Sequence, residues 1–286
     1  MRSENINAQE FRLLRDFIEA ECGVLLGNEK AYLIENRLSN LAKGCGCRTF
    51  GEFYVKLKNS LRSDRIRSAV TDAITTHETL WFRDGYPFRV LQECLLPEFQ
   101  KHYRAETRDS IRIWSAACST GQEPYSIAIA ALEFYLKAGL GAESCYSQVN
   151  ILATDVSEKV LSAAQTGRYD INAMSRGLPP GHLERYFRKD GNEWILEPKI
   201  KNMVTFRQIN LKEPISGGIG SFDIIFLRNV TIYFSEEFKK ILFSRVSRLM
   251  NRGGYLFLGA GETVGGYSDA FDIIEYEGTI FYRIKS

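Results

Sequence analysis

The chain has 286 residues, 44% of them hydrophobic and 25% charged, which is an ordinary composition for a globular protein of one large domain or two smaller ones. No apolar run approaches the ~20 residues of a membrane-spanning helix, which excludes a transmembrane segment of that kind. Thirty-seven basic and 35 acidic side chains leave a net charge of +2, and this total by itself favours no class of partner.

The N-terminus and the cysteines indicate a reducing compartment. The first residues, MRSENINAQEF, contain no apolar signal core, so we expect a cytoplasmic protein. There are six cysteines and three histidines, and only Cys45 and Cys47 lie close together in sequence, with no histidine near them. Because this spacing makes a poor zinc set, we expect reduced structural thiols and no bound metal.

Residues 7–75 show helical periodicity only. Apolar side chains recur at helical spacing in three segments, which are Ala8–Ile18, Tyr32–Leu38 and Phe50–Leu57. We therefore expect an all-α N-terminal region.

From residue 111 onward the pattern changes to strands that alternate with helices. Strands are predicted at 111–115, 149–154, 203–209, 222–227, 254–259 and 271–283, the last of these as a hairpin. Helices are predicted at 123–138, 157–166 and 235–251. This alternation predicts an α/β fold with a mainly parallel, doubly wound sheet. A small hairpin turning at Asp190-Gly191 is predicted to interrupt it within residues 183–201.

The most informative segment is a strand, a polar loop and a helix at residues 111–126, IRIWSAACSTGQEPYS. The loop turns around Gly121, and the helix begins near Glu123 with a proline in its first turn. The next predicted strand ends in Asp155. In open α/β sheets such a loop brings a nucleotide-type cofactor to backbone N–H groups, and the acidic residue binds the ribose hydroxyls.

The loop chemistry favours S-adenosylmethionine (SAM) over a dinucleotide. A dinucleotide site calls for G-x-G-x-x-G, whereas this loop has one glycine and places Glu123 at the helix start. A carboxylate there repels a pyrophosphate and suits the cationic amino group of SAM. The alternative is structural: Asp155 would cap the following helix, and Glu123 would only complement a helix dipole.

The basic residues of the helical region are unevenly distributed. Residues 30–67 carry nine basic and three acidic side chains, and nine minus three is a local excess of +6. We expect this run, in particular Arg62, Arg65 and Arg67, to dock an acidic partner. The run lacks the interleaved aromatic residues that stack bases, so a protein is favoured over nucleic acid. The alternative is an ordinary solvated face.

Four segments together resemble the CheR family, the methyltransferases that esterify glutamates of chemotaxis receptors. In chain order they are TTHETLWFRD at 75–84, SAACSTGQEPYS at 115–126, FDIIFLRNVTIYF at 222–234 and GYLFLGAGE at 254–262. The resemblance covers nearly the whole chain.

The resemblance implies a SAM-dependent protein-glutamate O-methyltransferase with a Rossmann-like domain. It implies a helical receptor-docking domain at 1–75, a linker at 76–92 that contributes to the cofactor site, and a SAM-binding α/β domain at 93–286. A small antiparallel β-subdomain is expected within the latter at about 180–202. The implied partner is the cytoplasmic helical region of chemoreceptors. We expect a monomer that binds no nucleic acid and does not insert into membranes.

Ten residues match positions that contact the cofactor in the family, and they are His77, Thr79, Arg83, Ala117, Glu123, Asp155, Asn210, Leu211, Arg228 and Asn229. His77 stands where the family usually has asparagine. Both side chains can hydrogen-bond a polar edge of the cofactor, but histidine adds sensitivity to pH.

The implied chemistry is in-line transfer of a methyl group from a sulfonium to a carboxylate oxygen. A glutamate with a pKa of about 4.3 is already ionised at neutral pH, so no general base is needed. Tyr233 is expected to orient the carboxylate or line the methyl path, and Arg83 to pair with a carboxylate of the cofactor or the substrate. The alternatives are a core aromatic for Tyr233 and an interdomain ion pair for Arg83.

Two other functions and one question of recognition stay open. The chain could methylate proteins of a non-chemotaxis sensory pathway, which would differ only in the receptor that docks. It could also bind SAM as a regulator without turnover, but the presence of both Arg83 and Tyr233 argues against that function. Some family members bind a C-terminal receptor peptide through a longer hairpin loop in the β-subdomain. Here the hairpin between Tyr186 and Lys199 turns tightly at residues 190–192, so we expect independence of such a tether.

Overall fold

A computed structural model describes residues 6–61, 64–104, 110–215 and 218–285. The chain forms two compact units. The first comprises the N-terminal residues as far as Thr76, together with Asn210–Pro214 and Tyr233–Leu242. The second comprises His77–Ile209, Ile215–Ile232 and the residues from Phe243 onward.

The first unit is helical, as its periodicity predicts. Its four N-terminal helices are α1 (Ala8–Cys22), α2 (Ala31–Gly44), α3 (Phe50–Asn59) and α4 (Arg65–Ile74), with a 3₁₀ turn at Asn28–Lys30. Their apolar faces enclose one core, whose fully buried members include Leu14, Ile18, Ile34, Leu38, Phe53 and Leu57. Burial of these stripes stabilises the bundle, since helices of this length are marginal alone.

Helix α1 has well-defined ends. The Asn7 side chain accepts N–H bonds from Gln9 and Glu10, and the Glu10 carboxylate accepts the N–H of Asn7, which completes a capping box. At the other end Gly23 adopts φ +81° and donates its N–H to Glu19 O at 2.9 Å. A left-handed residue of this kind is a common helix stop.

The second unit contains the remaining elements. Its helices are α5 (Tyr86–Val90), α6 (Leu96–Arg104), α7 (Gln122–Lys137), α8 (Ala142–Gln148), α9 (Glu158–Thr166), α10 (Ile171–Met174), α11 (His182–Tyr186) and α12 (Pro198–Lys201), with a π-helical turn at Leu91–Leu95 between the first two. Helix α13 (Glu236–Arg248) begins in the first unit and ends in the second.

The described residues of the second unit form ten strands. They are β1 (Ile111–Ala116), β2 (Val149–Asp155), β3 (Arg168–Asp170), β4 (Phe187–Asp190), β5 (Glu193–Leu196), β6 (Val204–Gln208), β7 (Phe222–Leu227), β8 (Met250–Leu258), β9 (Phe271–Tyr276) and β10 (Thr279–Ile284).

Seven strands form the large sheet, in the order β6-β2-β1-β7-β8-β10-β9. The first five run parallel, with Ile113 of β1 opposite Ile151 of β2 and Ile224 of β7. Strands β10 and β9 complete the sheet as an antiparallel hairpin. Every residue of β7 is buried, as expected for a strand covered on both faces. The predicted α/β sheet is confirmed.

The small sheet has the order β3-β5-β4. The predicted hairpin is present, and Asp190 pairs with Glu193 across the turn. The strand β3, which lies outside the 180–202 interval expected for the β-subdomain, also belongs to this sheet. Sequence reasoning missed β3 because three residues show too little alternation to be recognised as a strand. It also missed the short helix α8.

The carboxyl ends of the parallel strands lead into the segments that the sequence marks as functional. Strand β1 leads into the loop at 117–121, β2 ends at Asp155, β7 leads to Arg228, and β8 leads to the segment at 259–262. In open α/β sheets ligands bind at this edge. None of the helices in the described ranges is long and apolar enough to cross a membrane.

The stop of α1 generates a test of the first unit. A Cβ on Gly23 would lie 2.8 Å from Cε1 of Phe238, whereas a Cβ on Gly46, at φ +77°, would meet nothing within 4 Å. We expect Gly46→Ala to cost about 1–2 kcal/mol through backbone strain alone. Gly23→Ala should cost about 1–3 kcal/mol more because it also crowds the phenyl ring. Urea denaturation followed by circular dichroism measures both, and equal losses would contradict this packing.

Candidate functional site

The loop after β1 has an unusual backbone. Ala117 and Ser119 adopt φ +59° and +50°, and Gly121 adopts φ +93°. The Cys118 N–H donates to Thr154 O at 2.9 Å, which fixes the loop to the end of β2. Non-glycine residues at positive φ are strained, so the surroundings must hold this conformation.

Asp155 stabilises much of this loop conformation. Its Oδ2 accepts the Ser119 N–H at 2.8 Å, and its Oδ1 accepts the Ser157 N–H at 3.0 Å. Burial raises the pKa of the Asp155 carboxyl, an effect that the Ser157 and Ser119 amides partly offset. The cap of α9 is Ser157, whose Oγ accepts the Val160 N–H. The alternative that Asp155 caps helix α9 is therefore wrong. The two bonds to Ser119 and Ser157 leave the Asp155 carboxylate with lone pairs that can accept further hydrogen bonds.

Arg228 brings three segments together. Its fully buried guanidinium donates from Nη1 to Glu123 Oε2 at 2.8 Å, and from Nη2 to Asp84 Oδ2 at 2.7 Å and Arg83 O at 2.8 Å. Its Nε has no hydrogen-bond partner within the described part of the chain. A buried guanidinium is tolerated when such partners surround it.

Glu123 is therefore already engaged, which sequence reasoning did not foresee. Besides the bond from Arg228, its Oε1 accepts from the Ser115 hydroxyl at 2.8 Å. Its side chain is 13% exposed and so retains an open side. Two carboxylates face one guanidinium in this network. The three groups of Glu123, Asp84 and Arg228 therefore carry a net negative charge, which can attract a cation.

The segment from His77 to Asp84 lies against the loop. The Ser119 hydroxyl donates to His77 O at 2.9 Å, and the Phe82 N–H donates to Ser126 Oγ at 3.0 Å. Arg83 is half-buried and donates from Nη1 to Glu78 O at 3.3 Å, and no ion pair of its guanidinium is found in residues 6–61, 64–104, 110–215 and 218–285. Thr79 is half-buried in the same segment.

Glu262 was missed as a site residue, although its segment was noted. Its Oε1 accepts from the N–H groups of Val230 and Thr231 at 2.9 and 2.6 Å, and its Oε2 accepts from those of Asn229 and Gly259 at 2.6 and 2.7 Å. The Thr231 hydroxyl also donates to Oε1. This carboxylate fixes the backbone after β7, where Asn229 is at φ +58°.

Backbone strain is concentrated at this edge of the sheet. Of the non-glycine residues that the structure describes, six adopt positive φ, and five belong to the segments above: Phe82, Asp84, Ala117, Ser119 and Asn229. Strained residues persist where neighbouring contacts over-determine them, and such places are often functional sites. The site is therefore formed by the fold itself.

The charge of the site fits SAM. Apart from Glu78, which forms an ion pair with Arg176, these segments carry four carboxylates and two guanidinium groups, an excess of two negative charges. The carboxylates belong to Asp84, Glu123, Asp155 and Glu262, and the guanidinium groups to Arg83 and Arg228. SAM carries a sulfonium, an ammonium and one carboxylate and is a net cation. A pyrophosphate would be repelled here.

Three predicted site residues belong to the first unit. Asn210 donates from Nδ2 to Glu21 O at 2.7 Å and accepts the Lys212 N–H at 3.0 Å, and Leu211 is buried. Tyr233 packs against the helical core, and its carbonyl accepts the Leu25 N–H at 2.8 Å. These contacts fit the alternative of a core aromatic for Tyr233, and its catalytic role stays a prediction.

The three arginines expected to dock a partner differ. Arg62 lies outside the described residues, and Arg65 is exposed on α4. Arg67 is half-buried, pairs with Glu21, donates to Ser60 O at 3.2 Å and lies 4.9 Å from the Phe17 ring centroid. Arg67 is thus held by contacts within its own unit, which does not fit a free docking cation, because reversing its charge would break them.

Together the doubly wound sheet and the acidic site at its carboxyl edge define a SAM-dependent methyltransferase. Residues 77–280 match the family described as "CheR methyltransferase, SAM binding domain", and residues 9–75 match "CheR methyltransferase, all-alpha domain". The chain belongs to the CheR methyltransferase family, which confirms the resemblance and the expected fold.

Three relatives align over nearly the full length of the chain. Chemotaxis protein methyltransferase 1 of Pseudomonas aeruginosa is 43% identical over 277 residues, which cover 96% of this chain and 98% of that protein. Chemotaxis protein methyltransferase Cher2 of Pseudomonas putida is 42% identical over 286 residues, and chemotaxis protein methyltransferase 1 of Vibrio cholerae is 40% identical over 286 residues. Both alignments cover 100% of each chain.

The Glu262 carboxylate generates a test of the site's backbone. Glu262→Gln replaces an acceptor oxygen with an amide donor that faces backbone N–H groups, and we expect it to cost about 2–3 kcal/mol of unfolding free energy. Glu275→Gln, at an exposed position on β9, makes the same chemical change and should stay within about 0.5 kcal/mol of the parent. Chemical denaturation compares the two, and an unchanged Glu262→Gln variant would contradict the assigned role.

Proposed function

We propose that the chain transfers the methyl group of SAM to glutamate side chains of chemoreceptors, giving glutamate methyl esters and S-adenosylhomocysteine (SAH). The observation that carries this proposal is the acidic site centred on Arg228, in a chain that aligns end to end with proteins named chemotaxis protein methyltransferases. We place the reaction in the cytoplasm, on the helical region of the receptors, with the enzyme acting as a monomer.

The chain's residues bind and orient the reactants. Bound SAM supplies a methyl group activated by a sulfonium. Asp155 accepts hydrogen bonds from the ribose hydroxyls. Glu123 attracts the ammonium group of SAM, and Arg228 fixes the orientation of the Glu123 carboxylate. The remaining cofactor contacts are assigned to His77, Thr79, Ala117, Asn210, Leu211 and Asn229.

The transfer itself needs alignment and exclusion of water. The substrate glutamate arrives ionised, so no side chain has to remove a proton. Sulfonium and carboxylate neutralise one another as the reaction proceeds, so a dry site accelerates it. Tyr233 orients the incoming carboxylate, and Arg83 pairs with a carboxylate of the cofactor or the substrate. The lack of an ion pair for Arg83 within the described residues supports that role.

The test of the function is a methyl-transfer assay. The full chain is incubated with methyl-labelled SAM and cytoplasmic fragments of candidate chemoreceptors, and the labelled protein is treated with mild base. Methyl esters of glutamate release volatile methanol, whereas N-methyl groups stay attached. We expect base-labile label on the receptor fragment. Base-stable label, or SAM binding without transfer to any of the receptor fragments, would contradict the proposal.

The cofactor assignment is tested at Asp155. We expect Asp155→Ala to weaken SAH binding by about 1–3 kcal/mol, because a charged hydrogen-bond acceptor is lost. Asp223 is a matched control, since it is also buried and its Oδ2 accepts the Arg112 N–H at 2.8 Å, but it lies near the start of β7, away from the site. Asp223→Ala should destabilise the fold and retain SAH affinity. Calorimetric titration distinguishes the two, and normal affinity in a folded Asp155→Ala variant would contradict the assignment.

Receptor docking is tested at Arg65. Arg65→Glu should slow receptor methylation several-fold at low salt, and the difference should shrink as salt screens surface charge over a Debye length of about 8 Å near 0.15 M. Arg12→Glu, an exposed reversal on α1 outside the basic run, is the matched control. SAH binding should be unchanged in both variants. Equal methylation rates for the two would show that the basic run is only a solvated face.

Tether independence is tested on the receptor. The β4–β5 turn has only Gly191 and Asn192 between the paired residues Asp190 and Glu193, which supports the absence of a longer peptide-binding loop. Deleting the last residues of the receptor should leave the initial methylation rate unchanged, and the isolated C-terminal peptide should produce no binding heat. Peptide binding in the micromolar range, or a large loss of rate on truncation, would contradict this expectation.

A further inference from the structure

Strand β3 presents one side chain to the interior of the second unit. Arg168 and Asp170 are exposed, while Tyr169 between them is buried, with 5% of its surface accessible. Tyr169 pairs with Trp194 of β5 in the small sheet. On the outer face Arg168 forms ion pairs with Asp190 and Glu193, both at 2.8 Å. The strand is therefore held in register around a single inward tyrosine.

The Tyr169 hydroxyl bonds the loop after β1. It donates to Thr120 O at 2.9 Å, and Thr120 lies between Ser119 and Gly121 in that loop. Burial raises the pKa of this hydroxyl well above its ordinary value, so it stays protonated and remains a donor. The small sheet thus makes a direct hydrogen bond to the backbone of the loop after β1.

The same ring also contacts the segment that precedes α5. The Trp81 indole, which is fully buried, lies edge-on to Tyr169 with ring centroids 4.9 Å apart, and edge-on to Phe187 of β4 at 5.2 Å. The backbone N–H of Trp81 donates to Arg176 O at 3.0 Å. Trp81 lies two residues before Arg83 in the chain, so the small sheet contacts both segments that surround the Arg228 network.

The loop needs such support because its backbone is strained and closely packed. Ala117 and Ser119 are at positive φ. A Cβ on Gly121 would lie 2.9 Å from Ala164 Cβ and 3.1 Å from the Tyr169 hydroxyl oxygen. A shift of the loop would move the Ser119 N–H away from Asp155, and such geometry is sensitive to displacements well below an ångström.

We infer that Tyr169 is a positioning residue for the cofactor: through its bond to Thr120 O, the small sheet sets the conformation of the SAM-binding loop. The inference rests on the proposed function for the identity of the ligand. It assigns the small sheet a part in cofactor binding, although none of its strands carries a predicted cofactor contact. Tyr169 does not contact the reacting atoms, so removal of its hydroxyl should weaken cofactor binding and leave the rate of methyl transfer unchanged.

The test compares two buried tyrosines in the full chain. Tyr169→Phe removes the hydroxyl and keeps the ring against Trp81. Tyr125 is the matched control, since it is also buried and donates to a backbone carbonyl, Ala164 O on α9, at 2.9 Å. We expect Tyr169→Phe to raise the Kd for SAH by about three- to tenfold, the size expected for one buried hydrogen bond, and Tyr125→Phe to change it by less than about twofold.

Two further readouts separate positioning from general stability. In receptor methylation Tyr169→Phe should raise the KM for SAM and leave kcat unchanged. In the unliganded protein the Ser119 amide should exchange hydrogen faster in Tyr169→Phe than in Tyr125→Phe. Wild-type SAH affinity in Tyr169→Phe, or equal weakening in both variants, would overturn the inference while the proposed function stands. A wild-type chain that binds no SAH would overturn the proposed function, and the inference with it.

Discussion

The site depends on one buried charge. The guanidinium of Arg228 is withdrawn from water and is compensated by Glu123 at the start of α7 and Asp84 in the segment before α5. A lone buried guanidinium would be prohibitively costly, so the fold is stable only when these segments meet at the end of β7. The contact that satisfies Arg228 therefore also assembles the acidic site. In the proposed mechanism folding and function are coupled, because Glu123, one of the carboxylates that stabilise the guanidinium, also attracts the ammonium group of the cofactor.

Around this charge, two further carboxylates hold strained backbone in place. Asp155 fixes the loop that contains Ser119, and Glu262 fixes the turn that contains Asn229. A site whose backbone is held in one conformation before a ligand arrives loses little entropy on binding. Methyl transfer to an ionised carboxylate needs alignment more than acid–base chemistry, so a rigid site of this kind suits the proposed reaction.

The sequence predicts the parts of this structure that depend on local pattern. Helical periodicity predicted the first unit, the alternation of strands and helices predicted the parallel strands, and the turn residues Asp190-Gly191 predicted the small hairpin. The roles that depend on distant partners were missed or incomplete. Glu262 acts through amides some 30 residues earlier in the chain, and Arg67 acts through Glu21. The family resemblance named Arg228, but only the structure reveals that it bridges two carboxylates.

The most direct test of this account is the affinity of Arg228→Lys for SAH, measured by calorimetric titration with circular dichroism as the check on folding. Lysine keeps the charge and so avoids leaving Glu123 and Asp84 without a cation, but its single ammonium cannot reproduce the fork that bonds both. We expect a folded variant with at least about tenfold weaker SAH binding, because the segments that form the site lose their common partner. Wild-type affinity in this variant would contradict the central role of Arg228.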